Sequence, residues 1–241
     1  MLKKFPLSKV HTSWRPIVKQ ALAAVKEDYL HYLLVNDEWL PGTDKIFNAF
    51  SLPKNKTRYI LFGESPYPRE TSANGYAFWD AAVKELWSPT GLSSTVNRAT
   101  SLRNLIKMLL LARNDLQLAN ISQNAIAKLD KSIYVPTVDA LFNNFLQKGF
   151  LLLNASLVFH TAELVKKCAK MWFNFIDSLL QQLQPSDIQL VLLGNIAKLI
   201  GKLKSAQVYS QFTAEHPYNL SFIANPQIQH FFRSFDLLSL K

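Results

Sequence analysis

The chain has 241 residues, 49% of them hydrophobic, enough for one large domain spanning residues 1–241 with a substantial buried core. Its longest apolar runs, MLLLA and FLLL, fall far short of the roughly 20 residues that cross a bilayer. A net charge of +10, from 27 Lys and Arg against 17 Asp and Glu, favours polyanionic partners, and nucleic acid is the commonest of these.

In chain order, the start MLKKFPLSKVHTSW is basic but has no apolar stretch, so no signal peptide is expected. Basic residues are enriched there (Lys3, Lys4, Lys9, Arg15, Lys19) and again in KNKTR, Lys54 to Arg58. Ser13 followed by Pro16 resembles a helix start. IVKQALAAVKEDYLHYLL carries helical apolar spacing, which makes residues 1–50 an N-terminal helical segment. RYILFG reads as a first buried strand. SLRNLIKMLLLA reads as a helix capped by Ser101. The polar stretch from Asn120 to Pro136 reads as a connection with a helical turn. VDALFNNFLQKG is a helix ended by Gly149, and FLLLN is a second strand. ELVKKCAKMWFNFIDSLLQQL is a long helix, and IQLVLLG is a third strand entering the helix NIAKLIGKL. AQVYSQF reads as a fourth strand, and the last helix lies within QIQHFFRSFDLL. There is no repeat, linker or low-complexity segment.

Short apolar strands alternating with helices imply an α/β chain: a three-layer α/β/α arrangement around a central, mainly parallel, four-stranded sheet. In such sheets the ligand site lies beyond the carboxyl ends of the strands. The segments leaving those ends are GESPYP, NASLVFH, LGNIAK and EHPYNLSF. They hold an unusual share of the prolines, aromatics and polar side chains.

Four of these motifs in order, GESPYP…GYAFW, ATSLRN, LLLNASLV…MWFNFID and HPYNLS…HFF, resemble the uracil-DNA glycosylase family. The resemblance spans Tyr59 to Phe232, roughly three quarters of the chain. It implies a DNA N-glycosylase of base-excision repair, which flips a nucleotide out of the stack and hydrolyses the bond between deoxyribose and base.

By that resemblance Phe78 stacks on the flipped base, where base–aromatic stacking is worth roughly 1–3 kcal/mol. Tyr67, held by Pro66 and Pro68, walls off the position of the thymine methyl. Asn154 pairs with the uracil edge, since a carboxamide offers the donor and acceptor that match O4 and N3–H. His216 hydrogen-bonds O2 as negative charge builds on the leaving base. Leu220 is the apolar wedge that fills the vacated stack. Ser101 and Ser221 resemble the serines that grip the DNA backbone.

The first motif departs from the family pattern Gly-Gln-Asp-Pro-Tyr-His. Ser65 stands where the family has the Asp that aligns water and stabilises the cationic sugar, Glu64 replaces Gln, and Pro68 replaces His. Tyr218 and Asn219 replace Ser and Pro in the His216 motif. Two function classes follow: an active uracil-removing hydrolase, with Ser65 or Glu64 serving the water, or a catalytically weak relative kept as a DNA-binding or interaction module. No metal or cofactor is expected, since the one cysteine, Cys168, excludes the four-cysteine iron–sulfur cluster of some related branches and any internal disulfide. The expected partner is DNA, single- or double-stranded, with little sequence preference. No membrane partner is expected, and the protein is expected to be a cytoplasmic monomer.

Overall fold

The computed structural model describes residues 5–36, 38–184 and 187–240; Lys3 and Lys4 of the basic N-terminal cluster lie outside them. In chain order the helices and strands are α1 (Arg15–Ala23), α2 (Glu27–Val35), β1 (Tyr59–Gly63), β2 (Trp87–Ser88), β3 (Gly91–Leu92), α3 (Ser94–Arg98), α4 (Thr100–Ala112), α5 (Gln123–Ala127), α6 (Val138–Gln147), β4 (Phe150–Asn154), α7 (Val165–Gln182), β5 (Gln189–Leu193), α8 (Ile196–Ile200), β6 (Ser210–Ala214), α9 (Ser221–Ala224) and α10 (Pro226–Arg233).

The four apolar runs form one sheet in the order β4-β1-β5-β6. β1 pairs in parallel with both neighbours, Tyr59 opposite Phe150 and Gln189, and Gly63 opposite Asn154. This register places the ends of β1 and β4 side by side. Strands β1 and β4 are buried along nearly their whole length, so they read as continuous apolar runs rather than alternating ones. The chain divides into two compact units.

The first unit comprises Met1–Asp80, Gly149–Leu192 and Ile196–Thr213. Ile60, Phe62, Leu151, Leu153, Leu190 and Leu192, alternate residues of the three central strands, join one apolar cluster. That cluster includes Val18 and Ala21 of α1 and Trp172, Phe175, Ile176, Leu179 and Leu180 of α7, all fully buried. Burying each such side chain is worth roughly 1.5–3 kcal/mol, so this face anchors the strands whose far ends carry the site.

The second unit comprises Ala81–Lys148, Leu193–Asn195 and Ala214–Lys241. Here α4 packs against α9 and α10, and the small β2–β3 hairpin packs against α5.

Several boundaries differ from the sequence reading. The single N-terminal helix is two, because the chain breaks after Ala23 and Val25 turns into the core. Ser13 does not cap α1. Its hydroxyl oxygen instead accepts the Lys54 N–H at 2.9 Å, and Trp14 holds the cap position. Ala99 precedes α4 at the cap position, so Ser101 lies inside the first turn and caps nothing. The fourth strand begins later than expected, at Ser210, because residues Lys204–Val208 coil into a 3-10 helix. α9 is a short helix absent from the sequence reading, built from SFIA directly after Leu220 of the His216 motif.

Candidate active site

In the first unit, β1 and β4 stay zipped beyond their ends. Ala155 N–H donates to the Gly63 carbonyl at 2.8 Å, and Ser156 N–H donates to the Glu64 carbonyl at 3.0 Å. The Ser156 hydroxyl turns back to donate to the Val158 carbonyl at 2.6 Å. The chain leaving β4 is therefore fixed for two residues after the strand, and the chain leaving β1 for one. Gly63 has a steric reason: a Cβ there would collide with Asn154 Oδ1 and come within 2.8 Å of Ala77 Cβ. Any side chain at this position would push the Asn154 carboxamide aside.

Asn154 itself is 3% exposed. A buried carboxamide carries both a donor and an acceptor, which suits it to an incoming polar edge.

The segment 67–80 folds back on β4. Ala77 N–H donates to the Leu152 carbonyl at 3.1 Å, and the next residue, Phe78, has φ +64. A bulky aromatic in the left-handed region is sterically costly and persists only where its surroundings force it. One restraint is plain: the Tyr67 hydroxyl donates to the Phe78 carbonyl at 3.1 Å. Burial raises the Tyr67 phenol well above its ordinary value, and nearby Asp80 adds to this while Arg69 opposes it. The phenol thus stays a neutral donor. Asp80 is buried and paired with Arg69 at 3.2 Å, which closes the segment a second time. Glu64 is exposed, while Ser65 is half-buried with its hydroxyl 3.5 Å from the Pro66 carbonyl, at the outer limit of a hydrogen bond.

In the second unit, the His216 motif is a tied turn. Asn219 N–H donates to the His216 carbonyl at 2.9 Å, and Tyr218 N–H donates to His216 Nδ1 at 3.1 Å. Because Nδ1 accepts, the neutral ring carries its proton on Nε2. Burial lowers the His216 pKa from its ordinary 6.5, which favours that neutral form. Gly194 makes room for the ring: its φ is +73, and a Cβ there would come within 2.7 Å of His216 Cβ. Gly194 N–H also donates to the Ala214 carbonyl at 2.7 Å, two residues before the histidine. Leu220 and Ser221 follow on the exposed side of the turn, Leu220 being 72% exposed and Ser221 opening α9. Ser101 is half-buried in the first turn of α4.

No family model matches the sequence. The wild-type UNG crystal structure from Nitratifractor salsuginis matches 98% of this chain and 95% of its own, with a TM-score of 0.94 and 44% sequence identity. The uracil-DNA glycosylase of Campylobacter jejuni subsp. jejuni is 24% identical over 238 residues, covering 95% of this chain and 90% of that protein. That of Aliivibrio salmonicida is 27% identical over 208 residues, covering 83% and 78%.

This chain belongs to the uracil-DNA glycosylase family. The fold expected from the sequence, three-layer α/β/α around a mainly parallel four-stranded sheet, is the fold of the family. Of the residues singled out on resemblance to uracil-DNA glycosylases, the first unit holds Glu64, Ser65, Tyr67, Phe78 and Asn154, with Tyr67 bonded directly to Phe78. The second unit holds Ser101, His216, Leu220 and Ser221.

Two structural partners went unread in the sequence. Asn104 of α4 is fully buried and donates to the carbonyls of Pro217 (2.7 Å) and Tyr218 (3.3 Å). It was legible as a lone polar residue within an apolar helix face, LRNLIKMLLL, where an Asn needs a partner. Asp80 was legible only in retrospect, since its partner Arg69 is eleven residues away on a loop.

Proposed function

We propose that this protein is a uracil-removing DNA N-glycosylase acting in base-excision repair as a single-domain, cytoplasmic monomer on single- or double-stranded DNA. The observation that carries the reading is the Gly63–Asn154 pair, a buried carboxamide kept in place by the one residue type that does not displace it. The family membership given above supports it across the whole chain.

Each step assigns a side chain a task. Leu220 enters the stack as the target nucleotide turns out, and Ser101 and Ser221 hold the backbone through hydroxyls and N–H groups. Phe78 stacks on the extruded base. Asn154 donates to O4 and accepts from N3–H. Cytosine presents the reverse pattern and would leave buried groups unpaired, at roughly 1–3 kcal/mol each. Tyr67 excludes thymine by occupying the place of its methyl group.

As the C1′–N1 bond breaks, its electron pair leaves with the base. His216 donates from Nε2 to O2 and stabilises the uracil anion. Water then adds to the cationic C1′, its proton passes to solvent or to the departing base, and an abasic site remains. Ser65 orients this water by hydrogen bonding but supplies no negative charge, so the step is slower than in relatives with Asp at this position. Glu64 is the alternative source of the carboxylate. The exposure of Glu64 and the weak 3.5 Å contact of the Ser65 hydroxyl favour a second reading, a weakened glycosylase that serves mainly to bind DNA.

The test is incubation with a uracil-containing oligonucleotide, scored for abasic sites. Abasic sites from the wild-type protein support the hydrolase. Salt-sensitive DNA binding without abasic sites supports the module. Affinity that stays flat as salt rises contradicts both, since binding led by phosphate contacts weakens steeply with salt.

A further inference from the structure

Tyr218 raises a question that neither the fold nor the chemistry above answers. It is 67% exposed, two residues before the 72% exposed Leu220. Exposed aromatics on a free loop need no explanation, but this backbone is not free. The Tyr218 carbonyl and that of Pro217 accept from Asn104, its N–H donates to His216 Nδ1, and the His216 carbonyl accepts from Asn219. Arg103 extends the restraint, its Nε lying 3.4 Å from Asn104 Oδ1 while a second nitrogen donates to the Asn97 carbonyl at 2.9 Å. The fold therefore spends four hydrogen bonds on a turn whose Tyr218 and Leu220 side chains stand in water.

A large aromatic on a preorganised backbone loses little conformational freedom on binding and presents a flat apolar face. Such a face fits one ligand class on this protein's substrate: an unstacked nucleobase. When a nucleotide leaves the helix, the bases bordering the gap each lose one stacking partner. Leu220 is aliphatic and fills volume, but it offers no aromatic surface.

Resting on the glycosylase reading above, we propose that Tyr218 is a second DNA-contacting side chain, a positioning residue that stacks on a base bordering the vacated position and holds the flipped state open. It acts on DNA, not on the reacting atoms. In a chain whose water-side residue is the uncharged Ser65, a longer-lived flipped state raises the fraction of encounters that reach cleavage.

The test uses the full-length protein, an oligonucleotide with uracil or a non-cleavable uracil analogue, and 2-aminopurine placed beside or opposite it. Binding to the analogue is expected to weaken about 5- to 150-fold in Tyr218→Ser, the span of one base–aromatic stack, and hardly at all in Tyr218→Phe. The 2-aminopurine signal should be quenched by the wild-type protein and by Tyr218→Phe, and restored in Tyr218→Ser. Thermal unfolding should be unchanged in both. Equal loss in Tyr218→Phe and Tyr218→Ser would assign the effect to the hydroxyl and overturn stacking. So would wild-type fluorescence and affinity in Tyr218→Ser. If the wild type binds the analogue but cleaves no uracil, the glycosylase reading fails while the fluorescence comparison still decides the role of Tyr218.

Discussion

The loop 64–80 and the turn 215–221 solve opposite problems. The first works by concealment. Asn154 is buried behind a glycine, Phe78 is forced into a left-handed backbone, and the loop is closed by the Tyr67–Phe78 bond and the Arg69–Asp80 pair. The second works by display. Its backbone is tied to α4 and to its own histidine, yet Tyr218 and Leu220 project into solvent. Reading a base edge requires dry, fixed polar groups, because water would otherwise satisfy the wrong base equally well. Prying open a duplex requires apolar bulk that is already outside. The two regions also differ in what they carry: the loop has an uncharged Ser65 beside an exposed Glu64, while the turn carries an exposed aromatic, Tyr218.

The largest expected effect lies on the turn. His216→Ala should lower the single-turnover excision rate by roughly 10²–10³, the cost of removing one preorganised donor. A drop under about threefold would show that His216 is only part of the scaffold.

The loop makes the next prediction, and its sign is a gain. Ser65→Asp restores negative charge beneath the sugar and should raise the rate by about tenfold or more, a barrier change of roughly 1.4 kcal/mol. Glu64→Gln assayed alongside separates the alternatives. A strong loss with Glu64→Gln and no gain with Ser65→Asp would move the carboxylate role to Glu64.

Asn104→Ala tests whether the turn must be held from behind. It removes two hydrogen bonds worth about 0.5–1.5 kcal/mol each, so stability should fall by roughly 1–3 kcal/mol in a denaturant titration. Excision should fall with it, by a few-fold, at temperatures where the variant remains folded.

The smallest effect is in pH. Burial depresses the His216 pKa below its ordinary 6.5, so the folded chain prefers the neutral ring. Its contribution to stability is complete above pH 6.5 and declines as pH falls through the lowered value. The excision rate should likewise stay level down to about pH 6.5 and fall only below it. A rate that falls on raising the pH from about 6 to 8 would mean that the charged ring is the working form.

The strands and most helices were legible because apolar runs and periodicity report burial directly. RYILFG, FLLLN and IQLVLLG mark buried strands whatever their partners. The break between α1 and α2 was not legible, since helical spacing continues through Ala24 and Val25 and only tertiary contact decides the turn. The cap of α4 differs for a related reason: Ser101 has the right chemistry, but the cap position falls two residues earlier, at Ala99. In the site, residue identities came from resemblance. Their physical constraints, namely the Tyr67 bond that holds Phe78 at positive φ, the Asn104 clamp and the closeness of Gly63 to Asn154, join residues between 11 and 114 positions apart, and local pattern does not encode them.

One measurement bears most directly on the central claim that a buried Asn154 reads uracil. Wild-type protein and Asn154→Ala are incubated under single-turnover conditions with otherwise identical oligonucleotides carrying uracil, cytosine or thymine. The account predicts cleavage of uracil alone by the wild type and, in Asn154→Ala, a loss of uracil excision that narrows its margin over cytosine. Unchanged preference in Asn154→Ala, or excision of another base with uracil untouched, would contradict it.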